Sequence, residues 1–335
     1  MTGLFLTGYG FRIRRKLKFL EKEIADPGPD DVLIEVHAAG LNPVDFKFIY
    51  GMALIIIRPK LPYVLGFDLA GKIIAKGEQV TGFQVGDEVY SKVPWDQMGT
   101  ITEKIVVREN MIALKPRNLT FEEAAGIPLV GCTVWDSFNV GEVKKGTRLL
   151  IIGASGGIGT FAIQYAKYLG AYVIALTSTK NVEFVRSLGA DEVIDYKKED
   201  FRKVAKEVDV VFDTVGGKYP RQSLGVVKKG GKIISIAGHH DNETLKQVGI
   251  AWIFRLAFLV KGSILMWRMR QKNVFYKHVW SSPNQEKLKK IASLIEAGHI
   301  QAVTDRVYDF KDAIDGLEYL QTGRAKGKVV VKIKN

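Results

Sequence analysis

Cysteine is almost missing: Cys132 is the only one in 335 residues. A lone thiol closes no intrachain disulfide and cannot assemble a multi-cysteine zinc site. A reducing compartment is therefore expected, and Cys132 itself reads as a small buried apolar residue. The first ten residues lack the basic flank and apolar run of an export signal, so the expected location is the cytoplasm. Long uncharged runs are missing as well. Arg255 and Lys261 interrupt the most apolar stretch, residues 248–267, which leaves no run fit to span a bilayer. A buried helix plus strand is preferred there over a membrane-facing helix.

Acidic side chains are in deficit, 36 against 49 basic ones, for a formal net charge of +13. Such an excess suits an anionic partner: nucleic acid, a membrane surface or a phosphorylated cofactor. The bases are scattered, however. The densest run, residues 11–20 (FRIRRKLKFL), alternates apolar and basic for much of its length. A strand with one solvated face accounts for it better than a nucleic-acid arm, so no nucleic-acid partner is expected. Peripheral membrane contact stays open but is not preferred.

What is present is the composition of a folded protein, 47% hydrophobic and 25% charged, long enough for about two domains. Up to about residue 120 the chain reads as short strands with proline- and glycine-rich turns, the punctuation of a β-rich domain. Beyond Phe121 the grammar changes. Apolar strand runs at 148–153, 171–177, 192–195, 209–213 and 232–236 alternate with helical stretches such as 159–169 and 285–297. Strict alternation implies a parallel sheet with helices on both faces. The tail returns to strand at 328–334. The expected class is α/β, with a β-rich domain over 1–120 and 299–335 and an inserted doubly wound domain over 121–298.

The sharpest local signal is Gly153-Ala154-Ser155-Gly156-Gly157-Ile158-Gly159, between an apolar strand and an amphipathic helix. Glycines permit a tight turn and let backbone N–H groups at a helix start approach a pyrophosphate. A purely structural glycine turn is the bland reading, and the strand–turn–helix–strand context favours a dinucleotide. The second strand then lacks the acid that grips ribose hydroxyls in NAD-binding proteins. It ends instead in Thr177-Ser178-Thr179-Lys180. Hydroxyls with a cation suit a 2′-phosphate, hence NADPH. An ordinary polar helix start with a solvated lysine competes with that reading. Tyr196, after the third strand, is placed to reach the same phosphate or simply to pack.

Several motifs in order resemble the medium-chain dehydrogenase/reductase superfamily, in its zinc-free quinone and enone reductase branch. They are Ala39-Gly40-Leu41-Asn42-Pro43-Val44-Asp45, Leu65-Gly66-Phe67-Asp68-Leu69-Ala70-Gly71, Val85-Gly86-Asp87-Glu88-Val89, the glycine loop, Leu188-Gly189-Ala190-Asp191 and the residues 322–329 (TGRAKGKV). The resemblance implies a GroES-like catalytic domain with a Rossmann domain. It implies Ser155, Gly156, Gly157 and Ile158 at the pyrophosphate, and Ser178, Lys180 and Tyr196 at the 2′-phosphate. Thr133, Val215, Gly216, Ala237 and Gly238 fall near the nicotinamide ribose by the same likeness. Zinc-dependent relatives have a cysteine ligand where Asn42 stands and Gly-His-Glu where Gly66-Phe67-Asp68 stands. The four-cysteine zinc lobe is absent.

Without a Lewis acid, the chemistry within reach is reduction of already polarised double bonds, in quinones or in C=C conjugated to a carbonyl. Asn42 is the candidate donor to the developing oxygen charge, against a loop-capping role. Lys47 is a second donor or the proton source, against a solvated lysine. It occupies the position where many quinone reductases carry tyrosine, and Tyr50 is out of step. A 2-enoyl thioester reductase and a non-catalytic NADPH-binding protein with RNA or membrane affinity are the rival readings. The run Asn273-Val274-Phe275-Tyr276-Lys277-His278-Val279-Trp280 matches a last Rossmann strand that pairs across a two-fold axis, so a homodimer is expected.

Overall fold

A computed structural model describes the backbone of every residue except 56–58, 248, 251 and 335; side chains at 55, 247, 253–254 and 256–261 also lie outside the description. The chain divides into two compact units, Met1–Cys132 with Ser282–Asn335, and Thr133–Ser281. Both divisions differ from the sequence expectation. Residues 121–132 belong to the first unit because the Leu129 N–H donates to the Asp68 carboxylate at 2.8 Å. Residues 282–298 belong to it because the helix Gln285–Glu296 is tied there, Tyr90 donating to the Leu288 carbonyl at 2.6 Å and Asn118 to that of Ile295 at 3.0 Å.

The first unit is β-rich. Its main sheet runs Thr304–Asp309, Lys328–Lys332, Asp31–Leu41, Asp68–Lys76, Glu88–Lys92, Ile112–Leu114, with Lys104–Arg108 also paired to Asp31–Leu41. Val32, Ile34 and Val36 alternate into one core with Ile73, Val89 and Val107, as period-two patterning requires. Register matters most at one end. Gly40 pairs with Asp68 and Leu41 with Val329, which gathers Asn42, Asp68 and Lys328 from three distant segments. The run 11–20 is only partly strand. Ile13–Arg15 forms a 3-10 turn, and Leu17–Glu21 pairs with Thr2–Leu6. Arg14 is held there by Asp315 and Glu318, ion pairs that an extended strand would not reach.

The second unit carries a six-stranded, all-parallel sheet in the order Glu192–Asp195, Tyr172–Thr177, Arg148–Ile152, Val208–Asp213, Val227–Ser235, Phe275–His278. Leu149, Leu150, Ile151, Val173, Ile174 and Val211 are fully buried, the continuous apolar strands of a sheet covered on both faces. Chain order reverses at Arg148–Ile152, so the crevice at its carboxyl end is the topological switch point where such sheets bind ligands.

One expectation fails here. Within 248–267, Val248 and Ala251 lie outside the described residues, but Trp252–Gln271 is one helix and no strand follows before residue 275. Leu265 and Met269 pack into the core, whereas Trp252, Ile264 and Trp267 are 69%, 68% and 60% exposed. The stretch is half surface. Among the described residues no helix is long and apolar enough to cross a membrane.

Candidate functional site

The glycine loop of the second unit offers an anion site made of backbone. Gly156 caps the helix Gly157–Tyr168 with no side-chain partner, leaving first-turn N–H groups for an anion. Gly159 must be glycine, since a Cβ would lie 2.4 Å from the Gly153 carbonyl oxygen. Ser155 accepts from the Asn181 amide at 2.9 Å, tying the loop to the end of the second strand. Across the switch point, buried Asp213 accepts from the Val215 and Gly216 N–H groups at 3.0 and 2.9 Å and from the Ser235 hydroxyl at 2.8 Å. Ser235 in turn accepts from the Gly238 N–H at 2.8 Å. A Cβ on Gly216 would fall 2.1 Å from the Ala237 carbonyl oxygen, so these two turns are in contact. Val215 is 52% exposed, an apolar side chain at a strand's carboxyl end. Thr133 is buried on the helix Pro128–Gly141.

Strand register sets Tyr196 beside Ser178. Thr177 pairs with Asp195, and the Tyr196 N–H donates to the Thr177 carbonyl at 3.0 Å. Lys180 is exposed and has no hydrogen-bond or ion-pair partner among the described residues. Thr177 does not join them. Its side chain is 2% exposed and its hydroxyl has no hydrogen-bond partner among the described residues, because strand alternation turns it inward. One nearby acid, Asp195, accepts from the Thr179 hydroxyl at 2.7 Å and the Lys197 N–H at 3.0 Å. Its carboxyl sits below the ordinary range: those hydrogen bonds outweigh the upward pull of desolvation. The two bonds spend Asp195 on holding the turn. An uncapped helix start, a loop no Cβ would fit, and an exposed lysine that follows Ser178 and Thr179 in the chain together fit NADPH.

In the β-rich unit, Asn42 sits at the head of the helix Pro43–Ile49 and is 1% exposed. Its amide donates to the Gly40 carbonyl at 3.1 Å and to Asp68 Oδ2 at 2.9 Å. Lys328 Nζ donates to Asn42 Oδ1 at 2.5 Å, to the Leu41 carbonyl at 3.1 Å and to Asp68 Oδ2 at 3.2 Å. Both amide hydrogens of Asn42 are thus committed. The expectation that Asn42 offers a donor to a substrate oxygen is not met by this geometry; the amide bridges Asp68 and Lys328 instead. Burial pushes the Asp68 carboxyl up, against the Lys328 ammonium and the donated hydrogen bonds. Asp45 Oδ2 accepts from the Asn42 N–H at 2.8 Å while its Oδ1 is buried with no hydrogen-bond partner among the described residues. Desolvation pushes that carboxyl up to about 7.

Lys47, on the same helix, is exposed and has no partner among the described residues. Desolvation by the surrounding protein nevertheless lowers its ammonium pKa. Tyr50 is occupied: it packs on Phe11 at 4.8 Å between ring centroids and accepts from Gln321 at 2.5 Å. Where a zinc site would need ligands, the chain offers an amide at Asn42, a phenyl ring at Phe67 and a carboxylate at Asp68 already bound to Lys328. Among the described residues no three His, Cys, Asp or Glu come together, so this donor set does not fit a catalytic zinc.

Sequence reasoning missed Asp213, Ser235, Asn181, Asp68 and Lys328 as organisers of the site. A signal existed for two of them. Asp68 and Lys328 are charges set into apolar strands, and such charges need a partner.

Comparison with known proteins agrees with this architecture. Residues 28–117 match the alcohol dehydrogenase GroES-like domain, and residues 188–331 match a zinc-binding dehydrogenase domain. Residues 136–221 match the C-terminal domain of alanine dehydrogenase/PNT. A 2-methylene-furan-3-one reductase of Solanum lycopersicum is 36% identical over 324 residues, 93% of this chain and 74% of that protein. An NADPH-dependent alkenal/one oxidoreductase, chloroplastic, of Arabidopsis thaliana is also 36% identical, over 93% of this chain and 75% of its own. The quinone oxidoreductase of Coxiella burnetii superposes with a TM-score of 0.86 at 29% identity, covering 100% of this chain and 99% of that one. The chain therefore belongs to the medium-chain dehydrogenase/reductase superfamily, among its NADPH-dependent quinone and enone oxidoreductases.

Proposed function

We propose that this chain reduces the C=C bond of small α,β-unsaturated carbonyl compounds, and quinones, without a metal. The observation that carries the reading is that one chain has both an NADPH-type dinucleotide cradle and Asn42 and Phe67 where metal ligands would stand. When bound, NADPH supplies the hydride. The chain's own residues do the rest. The uncapped start of Gly157–Tyr168 holds negative charge, and Lys180 with Ser178 and Tyr196 selects the 2′-phosphate. The Asp213–Ser235 tie fixes the turns bearing Val215, Gly216, Ala237 and Gly238.

Lys47 is the proton source in this reading. An exposed ammonium with a lowered pKa gives up its proton more readily than an ordinary lysine. Asn42, Asp68 and Lys328 hold the helix that carries it. The strand Phe275–His278 is last in the order of its sheet, an edge position that supports a homodimer. The buried lone cysteine suits the cytoplasm. NADPH oxidation measured against quinones, short enones, long enals and enoyl thioesters, with and without chelator, tests the function. Turnover of enones or quinones that survives chelation is expected. Turnover of enoyl thioesters alone, or loss on chelation with recovery on added zinc, would overturn it.

A further inference from the structure

The helix Trp252–Gln271 has a solvent face that the reaction does not use. At 3.6 residues per turn, Trp252, Ile264 and Trp267 fall within an arc of about 120°. All three are among the most exposed large hydrophobic residues of the chain. Buried Gly262, Leu265 and Met269 occupy the opposite side, and Leu265 and Met269 share a buried cluster with Val274 and with Tyr276 of the sheet. The aromatic arc therefore points away from the sheet. Trp252 and Trp267 lie about 22 Å apart along the axis, at ~1.5 Å per residue, so a flat surface would meet both.

Charge selects the occupant. Residues 244–276 contain no Asp or Glu, yet hold Lys246, Arg255, Lys261, Arg268, Arg270 and Lys272, while Lys277 beyond them is paired with Asp241 and Glu243. Arg270 is exposed and Arg255 and Arg268 are half-buried, none with an ion-pair partner among the described residues. A second copy is a poor occupant, because a two-fold interface sets a patch against itself and this patch would meet its own positive charge. We infer that this face docks the protein on an anionic lipid bilayer, the tryptophans and Ile264 entering the headgroup region and the arginines meeting lipid phosphates. The helix lies in the interface and does not cross it.

The test is co-sedimentation of the full chain with vesicles of phosphatidylcholine alone, or of equal parts phosphatidylcholine and phosphatidylglycerol. Binding to the anionic vesicles is expected to be at least about tenfold tighter and to fall steeply with salt. The double variant Ile264→Ser with Trp267→Ser should bind about tenfold or more weaker, with its turnover of a water-soluble enone and its melting temperature unchanged. The double variant Arg268→Gln with Arg270→Gln should flatten the salt dependence while keeping the fold. Equal retention on both vesicle types, or binding that neither double variant weakens, would overturn the inference. So would light scattering that finds a dimer in the parent chain and a monomer in the Ile264/Trp267 variant, since the face would then belong to a second copy.

Discussion

The two units offer their candidate functional groups in different materials. In the dinucleotide-binding unit the working groups are backbone: an uncapped helix start, and turns whose glycines leave no room for a Cβ. In the β-rich unit they are buried side chains, with Asn42, Asp68 and Lys328 bonded to one another under almost complete burial. A backbone cradle needs only local sequence and tolerates water. A buried ionic cluster needs every member present, because each charge is desolvated and only its partners offset the cost.

That contrast sets the size of the expected effects. Lys328→Met should be the most damaging, leaving Asp68 buried without its cation, at a cost of roughly 3–5 kcal/mol in denaturant unfolding. A loss under about 1 kcal/mol, the value of a surface pair, would break the comparison. Next, Lys47→Ala should slow enone turnover by about 100-fold, the lower end of general acid–base catalysis, and quinone turnover far less. It should also abolish the decline in enone rate as pH rises through the lowered lysine pKa. An unchanged enone rate and pH profile would make water the proton source.

On the other side, Lys180→Ala should weaken NADPH binding by roughly tenfold to 150-fold and leave NADH nearly unaffected, with the fold intact. Equal losses for the two cofactors, measured by fluorescence titration, would remove the 2′-phosphate assignment. A pH-dependent effect, separate from these substitutions, concerns Asp45. Its carboxyl rises from an ordinary 3.8 to about 7 on burial, so between those values the folded chain holds a proton that the unfolded chain has released. Stability must then fall as pH rises across that window, by at most about 1.4 kcal/mol per pH unit. Asp45→Asn should flatten the slope, and urea midpoints from pH 4 to 7 would show it.

The same contrast decides what could be read in the sequence. The glycine loop, the strand–helix alternation and the run from Ser178 to Lys180 are each contiguous, so local spacing exposed them. Thr177 belongs to the same run but faces inward, because one-residue alternation, not proximity in sequence, decides which hydroxyl faces outward. Asn42 was located, but its duty was not. Both of its hydrogens are claimed through strand register by Gly40 and Asp68, and its oxygen by Lys328, 286 positions away. The helix Trp252–Gln271 misled for a related reason: apolar residues surround it, which reads as burial, while only one of its sides has a sheet to pack against.

The central claim is that hydride reaches carbon, with the carbonyl left intact, at a site whose groups do not fit a metal. Turnover of an α,β-unsaturated ketone with NADPH deuterated at its transferable hydrogen, in the presence of chelator, tests it most directly. NMR of the product should show deuterium on the β carbon, a solvent proton on the α carbon and the ketone retained. Deuterium on the carbonyl carbon, giving an alcohol, or a reaction that appears only when zinc is restored, would contradict it.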